Sequence, residues 1–157
     1  MKNNRLKYFL SIFFMIFFQN LYAEEVYINA SKVEIDKNNQ KIYAEGNVEI
    51  YDKFKNTIFA EKAEYDKLNG IVKTIGKTRV VTSEKYEVDG NDIFYDEKKR
   101  IIYSQYETKI EDINKNRIFV DMFNYLTEKN MFFSKGNIKI VDNRTNEYSF
   151  SEIYIDE

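Results

Sequence analysis

A thirty-residue period runs through this chain and constrains its fold more than any single motif. A period of this size is typical of an array built from one small structural unit. Such a unit cannot bury its apolar face alone, so neighbouring units must pack or pair on it. The pattern therefore predicts that function belongs to a long repeated surface and not to one pocket. The aligned columns are Ile35, Tyr65, Tyr95, Tyr125 and Ile155; Ile42, Val72, Ile102 and Phe132; and Gly46, Gly76 and Gly136.

The composition removes most catalytic and metal-binding chemistry. The chain has no Cys, His, Trp or Pro. Zinc, iron–sulfur and haem sites normally need Cys or His ligands, and Cys–His or Ser–His catalysis needs His. A column of carboxylates (Asp36, Asp66 and Asp96) falls where strand-like runs end, so we interpret these residues as turn acids rather than as catalytic or calcium-binding groups. We therefore expect no catalytic residue, no metal site and no cofactor.

The first residues have the layout of an export signal. Three basic residues precede an apolar run over 8–18, and Ala23 follows shortly afterwards. We predict a signal peptide over residues 1–23 and one domain over 24–157. The alternative is an uncleaved single-pass anchor, because Leu21 is not the usual small residue three positions before the cleavage site.

Charge argues against a nucleic-acid partner. Removing residues 1–23 would remove three of the 24 basic residues and none of the 26 acidic ones, which leaves a net charge of −5. The remaining Lys and Arg residues are spread evenly among acids, whereas nucleic-acid binding needs a basic footprint. We expect these charges to form a solvated face.

Each thirty-residue unit contains two alternating runs and two turns rich in Asp and Asn, which favour turn conformations. Period-two alternation with abundant Ile, Val, Tyr and Phe predicts half-buried strands, and no helical period is present after residue 23. The fold class is therefore all-β. Nine strands are predicted at about 26–35, 40–51, 57–65, 71–82, 86–95, 101–111, 117–126, 131–141 and 147–156.

One face of the predicted sheet collects the apolar columns, because alternate residues of a strand share a face. Two architectures fit this pattern, an up-and-down meander or barrel and an open two-sheet roll, and the matched columns favour the roll. Gly46, Gly76 and Gly136 lie inside strands and predict bulges. The candidate residues of this inner face are Ile42, Ala44, Val48, Ile50, Ile58, Val72, Val80, Val88, Ile102, Ile110, Ile118, Val120, Phe132 and Ile138.

Two segments carry a resemblance to a known family. They are Ile42-Tyr43-Ala44-Glu45-Gly46-Asn47-Val48-Glu49-Ile50 and Ala60-Glu61-Lys62-Ala63-Glu64-Tyr65-Asp66, with a weaker copy from Phe132 to Ile140. The phrase resembles the OstA-like repeat of the lipopolysaccharide transport family, which includes the periplasmic bridge protein LptA and the N-terminal periplasmic domain of LptD. The resemblance extends over residues 26–157.

The resemblance implies an open β-jellyroll whose hydrophobic groove carries the acyl chains of lipopolysaccharide toward the outer membrane. It implies that the inner-face residues contact lipid. It also implies a periplasmic location, with association with the outer membrane as an alternative, and head-to-tail pairing of end strands with other lipopolysaccharide transport proteins. Two assignments stay open, a short bridge-type protein or the N-terminal part of a longer outer-membrane protein.

Three classes of function remain in competition at this point. The leading hypothesis is a non-enzymatic lipid conduit. The second is a structural or adhesive β-repeat scaffold, in which the apolar face is the core of a closed sandwich. The third, an enzyme with a carboxylate pair, has no supporting motif.

Overall fold

The computed structural model describes residues 26–156. Every regular element assigned in that range is a β-strand. The all-β prediction is confirmed for these residues. The predicted signal peptide, residues 1–23, lies outside the described part of the chain. Between residues 26 and 156 there is no helix that is long and apolar enough to span a membrane. The strands are β1 (Val26–Asn29), β2 (Lys32–Asp36), β3 (Lys41–Asp52), β4 (Thr57–Asp66), β5 (Ile71–Val81), β6 (Glu87–Asn91), β7 (Phe94–Asp96), β8 (Ile101–Ser104), β9 (Thr108–Glu111), β10 (Arg117–Val120), β11 (Phe123–Leu126), β12 (Met131–Val141) and β13 (Glu147–Asp156).

The strand count differs from the prediction, because the described residues form thirteen strands where the sequence predicted nine. Four of the nine predicted strands are each split near the middle. The splits separate β1 from β2, β6 from β7, β8 from β9, and β10 from β11. The other five, β3, β4, β5, β12 and β13, stay continuous. Strands β3, β5 and β12 carry bulges at the predicted glycines, Gly46, Gly76 and Gly136, where the pairing register shifts.

Buried hydroxyl groups satisfy the backbone at the splits. Thr74 Oγ1 donates to the carbonyl of Ile93 at 3.0 Å and accepts from its N–H at 2.8 Å. Ser134 Oγ donates to the carbonyl of Met122 at 2.6 Å, and Ser104 Oγ donates to another backbone carbonyl at 3.2 Å. Because Thr74, Ser104 and Ser134 are buried, these bonds replace ladder bonds whose loss would otherwise leave buried polar groups unpaired.

Pairing closes a circuit of eight strands, in the order β5-β6-β9-β10-β12-β11-β8-β7 and back to β5. The continuous strand β5 pairs β6 through its C-terminal half and β7 through its N-terminal half. Strand β12 does the same with β10 and β11. The splits therefore divide the array into two layers. Layer 1 contains β1, β6, β9, β10 and the adjoining halves of the long strands, and layer 2 contains β2, β7, β8, β11 and the other halves.

The inner faces of the two layers cover each other. Residues on these faces form one core cluster, and most of its members are less than 5% exposed. On the side of the molecule where the turns lie, the layers meet through polar contacts centred on Asn130. Asn130 Oδ1 lies 3.2 Å from Ser83 Oγ, and Asn130 Nδ2 donates to Glu84 Oε1 at 2.9 Å. The opposite side is closed by the long strands that run from one layer to the other.

Candidate functional site

The structure places all fourteen predicted inner-face residues in or against the core. Thirteen of them are buried, with exposed fractions of 5% or less, and Ile42 is partly buried and packs against the cluster. Their cross-strand partners follow the predicted face, for example Ile50 opposite Ile58, and Ile58 opposite Val80. The described residues therefore form one continuous apolar interior that runs across all the units.

Eight further residues of the buried core cluster were absent from the candidate set, and four of them, Ile93, Tyr95, Phe123 and Tyr125, are each 2% exposed or less. The thirty-residue columns that begin at Val33 and Ile35 contain these four residues, so the period itself could have identified them. These residues lie in layer 2, on β11, on β7 and just before β7, where the inner-face positions are odd-numbered, whereas they are even-numbered on β6 and β10 in layer 1.

An aromatic cluster lies at the turn side of the interior. The Phe132 ring is 4.5 Å from the ring of Tyr125 and 5.1 Å from that of Tyr86, measured between centroids. Tyr86 belongs to layer 1 and Phe132 to layer 2, so this edge-to-face contact joins the layers just below the polar contacts of Asn130. Burial raises the pKa of Tyr125, whose hydroxyl donates to Asn130 Oδ1 at 3.1 Å.

The apolar interior is exposed at both ends of the array. On β2, the inner-face residues Val33 and Ile35 are 47% and 63% exposed. On β13, Tyr148 and Phe150 are inner-face residues opposite Ile140 and Ile138, and each is 47% exposed. Among the described residues, the opposite layer covers these four side chains less completely than it covers the inner-face residues at the centre of the array.

The end strands also have one unpaired edge each. Strands β1 and β2 pair only with β3, and β13 pairs only with β12 among the described residues. An unpaired edge presents a row of backbone donors and acceptors that another strand can use. The two ends of the array therefore combine an exposed apolar face with a free backbone edge.

Charged groups lie on the outer faces and in the turns. Glu111 accepts hydrogen bonds from Lys115 and Lys109, and these contacts lower the pKa of its carboxyl from 4.5 to about 2. Asp66 accepts bonds from the backbone N–H and then the side chain of Asn69, and these bonds lower the pKa of its carboxyl. The structure thus uses the Asp column in its turns, as the sequence indicated. Within residues 26–156, no group of three or more acidic side chains could hold a metal ion.

Comparison with known proteins gives a structural match and no sequence match. No protein-family model matches the sequence, and no curated protein matches it. The fold is similar to the crystal structure of LptH from Pseudomonas aeruginosa, described as the LptA-homologous periplasmic component of the conserved lipopolysaccharide transport device. The TM-score is 0.59, at 14% sequence identity, over 80% of this chain and 93% of LptH. The likeness shows a shared fold and agrees with the family resemblance of the sequence.

Proposed function

We propose that this chain is a non-enzymatic periplasmic conduit for lipopolysaccharide, whose acyl chains travel between the two layers toward the outer membrane. The observation that carries the proposal is the apolar interior, which crosses every unit and is exposed at both ends, within a fold shared with LptH. Acyl chains avoid water strongly, at ~0.8 kcal/mol per methylene. A uniform apolar track lets them move while remaining covered.

In this proposal the fourteen inner-face residues, from Ile42 to Ile138, contact the acyl chains, and the two layers part to form an open β-jellyroll. The turn side is the place for such an opening. There the contacts between the layers include the polar contacts of Asn130, the ring contact of Tyr86 with Phe132, and the Arg100 guanidinium 5.8 Å from the Phe54 ring centroid, whereas strands cross continuously on the other side. Parting the layers at the turns breaks contacts between side chains and leaves every strand pair intact.

The proposed partners are other lipopolysaccharide transport proteins that pair head to tail through the end strands. Pairing of β13 with the β1–β2 edge of a neighbour would add backbone hydrogen bonds. It would also cover Val33, Ile35, Tyr148 and Phe150 with the inner face of that neighbour. The export signal over residues 1–23 and the periplasmic location belong to the same proposal.

Site-specific crosslinking tests lipid contact. A photo-reactive residue is placed at Phe150 or Val33, which are accessible inner-face positions, and at their outward neighbours Ser149 and Glu34 as matched controls. We expect lipopolysaccharide adducts at Phe150 and Val33 in cells. Adducts at the two outward positions, and none at the inner ones, would reject the conduit.

The scaffold function has one observation in its favour, the close packing of the interior at residues such as Val72 and Ile102. A scaffold needs no lipid, so the two functions differ in what the purified protein contains. Mass spectrometry of a solvent extract from the folded protein separates them. Lipid A in the extract supports the conduit, and an extract without lipid supports the scaffold.

A further inference from the structure

A groove crosses the outer face of layer 1, on the opposite side of the sheet from the apolar interior. Its floor is a row of residues in register, in which each is the cross-strand partner of the next. Two adjoining concave regions, of about 900 Å³ and about 500 Å³, share Glu107 and Phe119 and form one channel along this row. The row is Glu49, Phe59, Arg79, Asp89, Lys109, Phe119 and Lys139.

Two aromatic rings on the groove floor are at least partly exposed. Phe59 is 41% exposed and Phe119 is partly buried. Neither ring stacks on another ring or on a cation among residues 26–156. Phe94 on layer 2 differs, since this partly buried ring stacks on Tyr103 at 5.2 Å between centroids and has Lys73 Nζ 5.6 Å from its centroid. The groove therefore offers two apolar platforms that no other described ring or cation covers.

The spacing of these platforms suits an extended ligand. Phe59 and Phe119 are four strands apart along the row, which corresponds to about 19 Å at the usual distance between strands. The groove lies across central strands, whose backbone groups are already paired, so it cannot bind a peptide by adding a strand. Recognition must come from side chains.

The basic residues of the floor are all paired with acids, since Lys139 also pairs with Glu147 at 2.7 Å. Arg79 Nε and Nη2 donate to the two carboxylate oxygens of Asp89 at 2.7 and 3.1 Å. Lys109 pairs with Glu111 at 2.9 Å, outside the groove itself. The walls add amides, among them Asn47 and Asn91, and carboxylates of Glu61 and Glu107. Lys77 adds one exposed base to the wall, but the carboxylates of Glu61 and Glu107 outnumber it. This balance disfavours an anionic ligand, whereas amides and carboxylates can exchange hydrogen bonds with neutral hydroxyl groups.

We propose that this groove binds a neutral oligosaccharide, with two of its sugar rings seated on Phe59 and Phe119. The C–H face of a sugar ring carries a partial positive charge and packs against the electron-rich face of an aromatic ring. The flanking amides and carboxylates then bond the hydroxyl groups at the edge of the sugar. This site is separate from the lipid path, because the floor residues point away from the apolar interior.

Nuclear magnetic resonance titration of the isotopically labelled protein tests the proposal, with chitohexaose and maltohexaose as neutral probes. We expect saturable shifts confined to residues of the floor and walls. The double variant Phe59→Ala/Phe119→Ala should bind about tenfold more weakly, because both stacking contacts are lost. Tyr43→Ala is the matched control, since Tyr43 is 40% exposed on the outer face of layer 2. It should bind like the wild type.

Three results would overturn the proposal. They are the absence of saturable shifts with either neutral probe, unchanged affinity in the double variant, and tighter binding of a phosphorylated sugar or an acidic peptide than of the neutral probes. Thermal melting of each variant checks that it is folded. None of these probes has acyl chains, so the outcome does not depend on the proposed lipid function.

Discussion

At the scale of single residues, the repeat reflects backbone geometry as much as packing. The residue that closes the first turn of each unit has a positive φ, with values of 53° at Gln40, 70° at Gly70, 56° at Arg100 and 52° at Asn130. These residues are thirty apart but differ in type, so the sequence columns did not reveal them. The sequence did reveal the buried columns, because each apolar side chain has one face of a strand to occupy.

The buried hydroxyls explain another difference between sequence and structure. Small residues in the inner columns, such as Ser104 and Ser134, could be interpreted from sequence as space left for a lipid chain. In the structure their hydroxyls bond backbone carbonyls at the strand splits. In the column of Thr74, Ser104 and Ser134, a hydroxyl therefore marks a break in the adjacent strand.

Thr74→Val tests this role. Val has nearly the same shape as Thr but no hydroxyl, so the N–H of Ile93 would lose its acceptor in a buried position. We expect a loss of about 1–3 kcal/mol in the free energy of unfolding, the usual effect of an unsatisfied buried donor. Denaturant melting measures it. The control is Thr57→Val, which changes a partly buried strand residue away from the splits. Equal losses of unfolding free energy in the two variants would contradict the role assigned to Thr74.

At the scale of strands, sequence reasoning located every strand region but not the splits. Alternation in β6 places Val88 on the inner face, an even position, whereas β7 places Tyr95 there, an odd position. The same change of phase separates β10 from β11. A phase change was visible in the sequence as two families of columns, but a bulge in a continuous strand produces the same signal. The pairing distinguishes a split from a bulge, because β6 and β7 pair with separate halves of β5, and β10 and β11 pair with separate halves of β12.

Adjacent proline substitutions in β13 test whether its outer edge joins a neighbour. Successive N–H groups of a strand point to opposite edges, so one of Ile153 and Tyr154 donates toward β12 and the other donates outward. Proline removes the donor. The outward substitution should abolish self-association and leave the unfolding midpoint nearly unchanged, and the inward one should lower the midpoint. Sedimentation velocity and denaturant melting give the two readouts, and association that persists in both variants would exclude pairing through this edge.

At the scale of the whole molecule, the array has no closed end within the described residues. A globular sandwich covers its terminal apolar side chains, whereas here Val33, Ile35, Tyr148 and Phe150 remain 47–63% exposed. Their position beside unpaired strand edges makes each end complementary to the other. The family resemblance implied pairing through the end strands, and among the described residues each end strand has one unpaired edge that could serve it. The sequence alone could not predict how far the two layers close on each other. That closure depends on contacts between turns of different units, such as the contact of Ser83 with Asn130.

Charge placed on the exposed ends should separate assembly from folding. Ile35→Glu and Tyr148→Glu change inner-face residues that are 63% and 47% exposed, so the single subunit should lose little stability, about 0.5 kcal/mol or less. In a head-to-tail array the same carboxylates would be enclosed between apolar faces, which costs several kcal/mol. We therefore expect both variants to stay monomeric at concentrations where the wild type associates, and to carry less lipopolysaccharide when purified from cells. Tyr43→Glu, on the outer face of layer 2, should associate normally. If the two end variants assemble as the wild type does, the ends do not join through their apolar faces, and the interior of one subunit cannot continue into the next.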